Sequence, residues 1–145
     1  MSMENIKIVE RLFDEAWGQG NLELIDEICA ENFIDHDPLL GDADREGLKA
    51  RIETYRGAFP DLRFTIEEIF ASGDRVVVRW SGVGTFENEL MGLAPTGEKG
   101  SPVGGIAISR FEDGKLIEDW AQWDTLRLMK NMGAVPEDAA APASS

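Results

Sequence analysis

Acid/base chemistry in this sequence depends on one histidine and a group of carboxylates near the end of the chain. His36 is the only histidine, and Asp124 closes a run of alternating residue types. A carboxyl group in an apolar pocket has its pKa raised by desolvation, toward the range in which it takes and returns a carbon-bound proton. Asp124 is therefore the candidate acid/base group, and His36 is its candidate partner.

The role of Asp124 depends on which face of its strand points inward. Alternation along the strand places every second side chain on the same face, and this face carries Trp120, Gln122 and Asp124. The opposite face carries Ala121 and Trp123. The preceding strand adds only small inward side chains, namely Gly105, Ala107 and Ser109, which leave room for a ligand. The alternative is that Asp124 only caps the helix that follows it; the two roles are compatible.

Several other kinds of chemistry are disfavoured by composition. The 145 residues include 14 Lys+Arg and 28 Asp+Glu, a net charge of −14 that repels nucleic acid and anionic membrane surfaces. A single histidine excludes a zinc site with several histidines, and Cys29 has no second cysteine to pair with. No window approaches 18 apolar residues and the start lacks an apolar signal segment, so the expected location is cytoplasmic.

The elements that must position these groups change from helix to strand near Pro60. Apolar residues recur at three- and four-residue steps in three predicted helices, which cover Glu4–Trp17, Asn21–Cys29, and Asp42 or Asp44 up to Pro60. Alternation with period two then predicts four strands, with a β-bulge at Glu67 and Glu68 in the first of them. Asp113 and Gly114 predict a type I′ hairpin turn between the last two strands.

Glycines and prolines indicate where the remaining loops of the chain lie. The segment Glu87–Gly104 is a long loop that is a candidate lid, and Thr125–Met132 is a short last helix. Residues 1–135 form one predicted domain. Residues 136–145 form a tail rich in Ala, Pro and Ser that is predicted to be mobile.

Helices followed by an antiparallel sheet predict an α+β domain in which the helices cover one face of a bent sheet. Such a cone encloses an apolar pocket. Aromatic side chains at inward positions suit a flat hydrophobic ligand, although each of them could equally be a core residue. These candidate binding residues are Trp17, Phe33, Tyr55, Phe59, Trp80 and Trp120, with Gln122 as a polar anchor.

Five segments resemble the SnoaL-like polyketide cyclase family. They are Phe33–Pro38, Ala58–Leu62, Val78–Trp80, Gly92–Gly97 and Arg110–Glu118, and the likeness spans about residues 5–133. The resemblance implies the cone-shaped nuclear-transport-factor-like fold, with N-terminal helices packed on a bent antiparallel sheet. That fold also hosts ketosteroid isomerases, limonene epoxide hydrolases and binding modules, so the fold alone does not choose a function.

The resemblance also implies a chemistry. Characterised cyclases of the family close a ring by intramolecular aldol chemistry, without metal or cofactor, and use an Asp on a late strand. Many relatives resemble Glu-His-Trp-Asp-Val-Val-Asp where this chain has residues 118–124, so Asp119 stands for the His and Ala121 for the first Asp. Asp124 is retained. His36 is then expected at the mouth of the cone, where it polarises a carbonyl or orients Asp124.

Three functions follow as expectations. The first is a cofactor-independent, cyclase-like enzyme that transfers a proton next to a carbonyl of a small hydrophobic or aromatic substrate. The second is a small-molecule binding module without catalysis, because positions 119 and 121 depart from the family pattern. The third is an epoxide hydrolase-like activity, which requires Arg79 or Arg110 to point inward. The resemblance also predicts a homodimer through the outer sheet face, with Ile106, Ile108 and Trp123 as its apolar patch.

Overall fold

The structure is a computed structural model that describes residues 2–139. Its helical part comprises α1 (Ser2–Arg11), which continues as a π-helical segment (Leu12–Trp17), and α2 (Glu23–Ile28). The apolar side chains that recur along α1 and this segment are buried: Val9, Leu12, Phe13 and Ala16. Residues 140–145 of the predicted tail lie outside the described residues, and mobility of the tail stays a prediction.

The sheet confirms the α+β architecture and bends beneath the helices. Its strands are β1 (Cys29–Asp37), β2 (Gly41–Ala43), β3 (Arg63–Ser72), β4 (Arg75–Val83), β5 (Val103–Glu112) and β6 (Lys115–Trp123). Helix α3 (Arg45–Ala58) lies between β2 and β3 in the chain, and α4 (Thr125–Asn131) follows β6. The strand order is β2-β1-β6-β5-β4-β3. Neighbours are antiparallel except β1 and β6, whose parallel pairing the sequence did not predict.

Local sequence signals account for most of the element ends. The Asp44 carboxylate caps α3 by accepting a hydrogen bond from the Gly47 amide at 2.8 Å. Asp113 and Gly114 have φ values of +52° and +78°, the positive pair that a type I′ turn requires, so the predicted hairpin is confirmed. The register of β3 on β4 shifts between Ile66 and Glu68, which confirms the predicted bulge.

A second bulge lies in β6 and reverses the side-chain alternation of that strand. Leu116 pairs with Phe111, whereas Glu118 pairs with Arg110, so Ile117 is the extra residue. One inserted residue moves every later side chain to the opposite face of the sheet. The bulge therefore decides which residues of β6 point toward the helices.

Two groups of buried apolar residues stabilise the fold. The larger group lies between the helices and the concave sheet face, and the smaller group contains Phe59, Phe86, Leu90, Val103, Leu128 and Met132. Because Leu90 and Val103 belong to the segment Glu87–Gly104, part of that segment packs with Leu128 of α4. Closure of the loop as a lid stays a prediction. In the described part of the chain, no helix is long and apolar enough to cross a membrane.

Candidate active site

A cavity of about 150 Å³ lies between the helices and the concave face of the sheet. Most of its wall is apolar, and aromatic side chains dominate it: Phe13, Trp17, Tyr55, Phe59, Phe64, Trp80 and Trp123. Three carboxyl groups, Asp35, Asp37 and Asp119, interrupt this wall. A closed space of this size holds about one benzene-sized group, and because this cavity is partly open, a larger ligand would extend out of it.

Asp35 and Asp119 are neighbours on the parallel strands β1 and β6. They pair directly in the strand register, so their side chains leave the same face of the sheet. Asp35 is 8% exposed. The surrounding wall is apolar, and two carboxyl groups this close together and this poorly solvated cannot both ionise freely.

Arg51 of α3 stabilises the ionised form of Asp35. Its Nη1 donates to Asp35 Oδ2 at 3.2 Å, and its Nη2 donates to the carbonyl oxygens of Leu40 and Gly41. Burial raises the pKa of Asp35 to about 6, and the Arg51 charge opposes that rise. Asp35 is therefore mainly a carboxylate at neutral pH and has the basicity of a useful general base.

Asp119 is in a different environment. Its Oδ1 accepts a hydrogen bond from Ser109 Oγ at 2.8 Å, and within residues 2–139 no Lys, Arg or His side chain forms an ion pair with it. Burial, and then the negative charge of Asp35, raise the pKa of Asp119 well above its usual range. Because the Arg51 guanidinium stabilises the ionised form of Asp35 and only the Ser109 hydroxyl bonds to Asp119, Asp119 is the member of the pair that holds a proton more strongly. Such a separation of two carboxyl groups assigns one as acid and the other as base.

Asp37 and Tyr55 supply two further polar groups to the wall. The Asp37 carboxylate accepts hydrogen bonds from Trp123 Nε1 at 2.9 Å and from the amides of Leu39 and Leu40. The Tyr55 hydroxyl is buried and is without a hydrogen-bond partner in the described structure. A buried donor without a partner is costly, and a bound ligand oxygen would satisfy it.

The structure corrects the predicted face of β6. Asp119, Ala121 and Trp123 line the cavity, whereas Trp120 and Gln122 lie on the outer face. The prediction was wrong because alternation was extended through Ile117, where the bulge inserts a residue. Ala107 and Ser109 of β5 do share the inward face with Ala121 and Asp119.

Asp124 lies beyond the end of β6 and does not line the cavity. Its carboxylate accepts a hydrogen bond from the Arg127 amide at 2.9 Å, which is the helix-capping alternative. The prediction that Asp124 lies in the pocket is therefore corrected: Asp124 caps α4. The structure does not place Asp124 next to His36.

His36 also lies on the outer face, since it alternates with the inward Asp35 and Asp37. Its Nδ1 is 2.8 Å from Asp42 Oδ1 and its Nε2 is 2.7 Å from Glu118 Oε2. Both carboxylates raise the pKa of His36. The ring stacks on Trp120 with centroids 5.6 Å apart. The expected place of His36 at the cavity mouth is thus wrong.

The predicted aromatic binding residues divide into two groups. Trp17, Tyr55, Phe59 and Trp80 line the cavity, and their contact with a ligand stays a prediction. Phe33 is 1% exposed and belongs to the core, so its expected place in the wall is corrected.

Sequence reasoning missed Asp35, Arg51 and Asp119. One signal is present in the sequence: it predicts an inward Phe33, and alternation from Phe33 places Asp35 and Asp37 on the same face. The family pattern predicts a histidine at position 119, so the sequence comparison treats Asp119 as a departure. In the structure, Asp119 supplies a carboxyl group to the same cavity wall as Ala121. Arg51 had no sequence signal, because its partner is known only from the fold.

Gly105 leaves space for the indole of Trp80. A Cβ at this position would lie 2.5 Å from Trp80 Cζ2 and 2.7 Å from Trp123 Cβ. We therefore expect Gly105→Ala to lower the free energy of unfolding by about 1–3 kcal/mol, as overpacked sites do. Denaturant unfolding measures this. Gly57→Ala is the matched control, since nothing lies within 4 Å of its Cβ and alanine favours a helix. Equal stability of the two variants would contradict the expectation.

Comparison with known proteins shows the family. The family model described as SnoaL-like polyketide cyclase matches residues 7–132, and the chain belongs to this family. Among residues 2–139, no group of three or more His, Cys, Asp or Glu is placed to hold a metal ion. No protein of curated function matches the chain.

Solved structures have the same fold. A SnoaL-like protein from Jannaschia sp. CCS1, provisionally assigned as a polyketide cyclase, is 27% identical with a TM-score of 0.83, over 93% of this chain and 95% of that one. AclR from Streptomyces galilaeus, provisionally assigned as a hydroxylase, is 25% identical with a TM-score of 0.83, over 94% and 89%. A provisionally assigned polyketide cyclase from Bacillus cereus ATCC 10987 is 31% identical with a TM-score of 0.77, over 91% and 82%.

Proposed function

We propose that this protein is an enzyme that transfers a proton next to a carbonyl group of a small hydrophobic substrate, in an aldol-type cyclisation or an isomerisation. Family membership supports a cyclase- or isomerase-type enzyme. The observation that carries the proposal is the pair of cavity-lining carboxyl groups: Asp35 is paired with Arg51, whereas Asp119 is bonded only to a hydroxyl. Neither group of the pair is Asp124 or His36.

The proposed reaction uses the two carboxyl groups in opposite states. The Asp35 carboxylate takes a proton from the carbon next to the carbonyl, and the protonated Asp119 gives its proton to the carbonyl oxygen. The Tyr55 hydroxyl donates a hydrogen bond to the same oxygen as negative charge develops there. The enol carbon then takes a proton back, or attacks a second carbonyl of the substrate to form a C–C bond. In the exchange or isomerisation, Asp35 then gives its proton to the carbon; in the cyclisation, Asp35 gives it to the oxygen of the second carbonyl. Asp119 takes back the proton of the enol oxygen, so both carboxyl groups return to their starting states and the reaction needs no oxidant or reductant.

The experiment is proton exchange on a neutral bicyclic ketone. We expect the protein to accelerate exchange of the protons next to the carbonyl of 2-tetralone in D₂O, followed by NMR. The rate should depend on pH in a bell shape, with an acidic limb from Asp35 and a basic limb from Asp119. Binding of 2-tetralone without any accelerated exchange at any pH would contradict the enzyme and favour a binding module.

The Asp35–Arg51 ion pair favours epoxide hydrolysis as a second candidate. Arg79 and Arg110, the arginines considered from the sequence, instead bond to Glu68 and Glu118 on the outer side. In the second candidate, Asp35 would deprotonate a water that attacks the epoxide carbon, and Asp119 would protonate the opened oxygen. Incubation of styrene oxide in ¹⁸O-labelled water tests it: an enzyme-dependent diol with one labelled oxygen supports hydrolysis, and no diol above background excludes it for this epoxide.

A homodimer through the outer sheet face is a further part of the proposal. Three apolar side chains on this face are strongly exposed: Phe70 at 51%, Ile106 at 49% and Ile108 at 36%. Trp123, which was expected there, points inward, and Trp120 takes its place beside Ile108. We expect light scattering to give twice the chain mass of 16.0 kDa, and Ile106→Glu to lower it. A monomer at micromolar concentration would contradict the dimer. A cytoplasmic location stays a prediction.

A further inference from the structure

The charged side chains that line the cavity are all acidic. Asp35, Asp37 and Asp119 contribute to the wall, and within residues 2–139 no Lys, Arg or His side chain does. Arg51 contacts Asp35 but does not line the cavity. A ligand with a carboxylate or phosphate group would place its negative charge among three carboxyl groups without a facing cation, which is electrostatically unfavourable.

Aromatic rings form the other part of the wall. Trp17 lies between Tyr55 and Phe64, with ring centroids 6.1 and 5.5 Å away, and Phe64 is 5.3 Å from Trp80. These rings come from the π-helical segment, α3, β3 and β4, whereas the carboxyl groups come from β1 and β6. The face of an aromatic ring carries negative electrostatic potential and attracts an organic cation.

We propose that the cavity selects an apolar ligand that carries a positively charged nitrogen, an organic ammonium. Both parts of the wall favour such a group: the Asp37 carboxylate by its charge and the rings by cation–π attraction. The inference rests on the proposed function, since it names the substrate class of the same cavity: a carbonyl compound with a basic nitrogen. Asp37 is the carboxylate best suited to face the cation, because Asp35 is already paired with Arg51.

The test compares three soluble probes of nearly equal shape. Choline is the cation, 3,3-dimethyl-1-butanol is its neutral counterpart, and 3,3-dimethylbutanoate is the anion; all are of the size of the cavity. We expect isothermal titration calorimetry at neutral pH to give choline at least tenfold tighter binding than the alcohol, and no binding of the anion.

Two variants test whether the charge of Asp37 is responsible for the preference for choline. Asp37→Asn should weaken choline binding at least fivefold and leave binding of the alcohol unchanged, which also reports that the cavity is intact. Asp113→Asn removes the same charge from the β5–β6 turn and should change neither. Equal or tighter binding of the alcohol by the unaltered protein, or no choline binding at millimolar concentration, would overturn the inference. Exchange of 2-tetralone protons would persist in that case, so failure here is distinct from failure of the proposed function.

Discussion

Replacement of Asp119 by Asn is expected to slow exchange of the 2-tetralone protons by about 10²- to 10⁴-fold, the usual contribution of a positioned acid or base. The amide keeps the size of the side chain and can still accept the hydrogen bond of Ser109, but it cannot give a proton to the carbonyl oxygen. NMR rates across the pH range measure the loss, and the basic limb of the profile should disappear. Asp124→Asn is the control, because asparagine caps a helix as well as aspartate does. Loss of exchange in Asp124→Asn instead would restore the assignment made from the sequence.

The same Asp119→Asn change is expected to stabilise the protein at neutral pH. The folded pKa of Asp119 lies above its unfolded value of about 3.9. The favourable effect of the protonated carboxyl group is complete below that unfolded value and is lost as pH rises through the folded pKa. The variant has no ionisation to suppress, so its advantage in free energy of unfolding should appear only above about pH 4. Denaturant unfolding at acidic and neutral pH gives the two values, and an advantage equal at both would contradict this account.

Arg51→Gln is expected to have the largest effect on stability, a loss of about 3–5 kcal/mol, because it leaves a buried carboxylate without its cation. It also removes the hydrogen bonds to the carbonyl oxygens of Leu40 and Gly41. In the surviving folded protein, the pKa of Asp35 should rise above its value of about 6, since the Arg51 charge opposes the effect of burial. The acidic limb of the exchange profile should therefore move to higher pH, and that shift separates an effect on the base from general loss of structure.

A double variant is the control for this prediction. Asp35→Asn combined with Arg51→Gln has no uncompensated charge, and it should recover part of the stability lost in Arg51→Gln alone. It should stay inactive in the exchange assay because the base is gone. If the double variant were less stable by the full sum of the two single changes, the pair would not be energetically coupled.

The sequence predicted the helices and four of the six strands, β3 to β6, whereas β1 and β2 are not among the predicted strands. Helix periodicity located α1 and α3, the polar start at Asp44 marked its cap, and the slip at Glu67 and Glu68 predicted the bulge in β3. These features depend on residues close together in the chain. The inward small residues of β5 were also predicted, because the hairpin turn at Asp113 and Gly114 fixes the start of its pairing.

The wrong face of β6 and the missed ion pair both result from contacts between segments that are distant in the chain. The bulge at Ile117 lies opposite Arg110 and Phe111 of β5, and β6 also pairs with the parallel strand β1. Pairing between segments about 80 residues apart cannot be read from alternation within either segment. The ion pair of Asp35 with Arg51 depends on the same long-range arrangement. The acid pair is therefore a property of the assembled sheet.

The position of the acid along β6 also sets how far a substrate has to reach. Asp119 lies two residues before Ala121 on β6 and is therefore nearer to the fully buried Leu116. Two residues of strand correspond to a displacement of about 6.6 Å, close to the width of one ring. In the proposed reaction, a substrate that enters past Ala121 has to insert its reacting carbonyl about one ring further than Ala121 to reach Asp119.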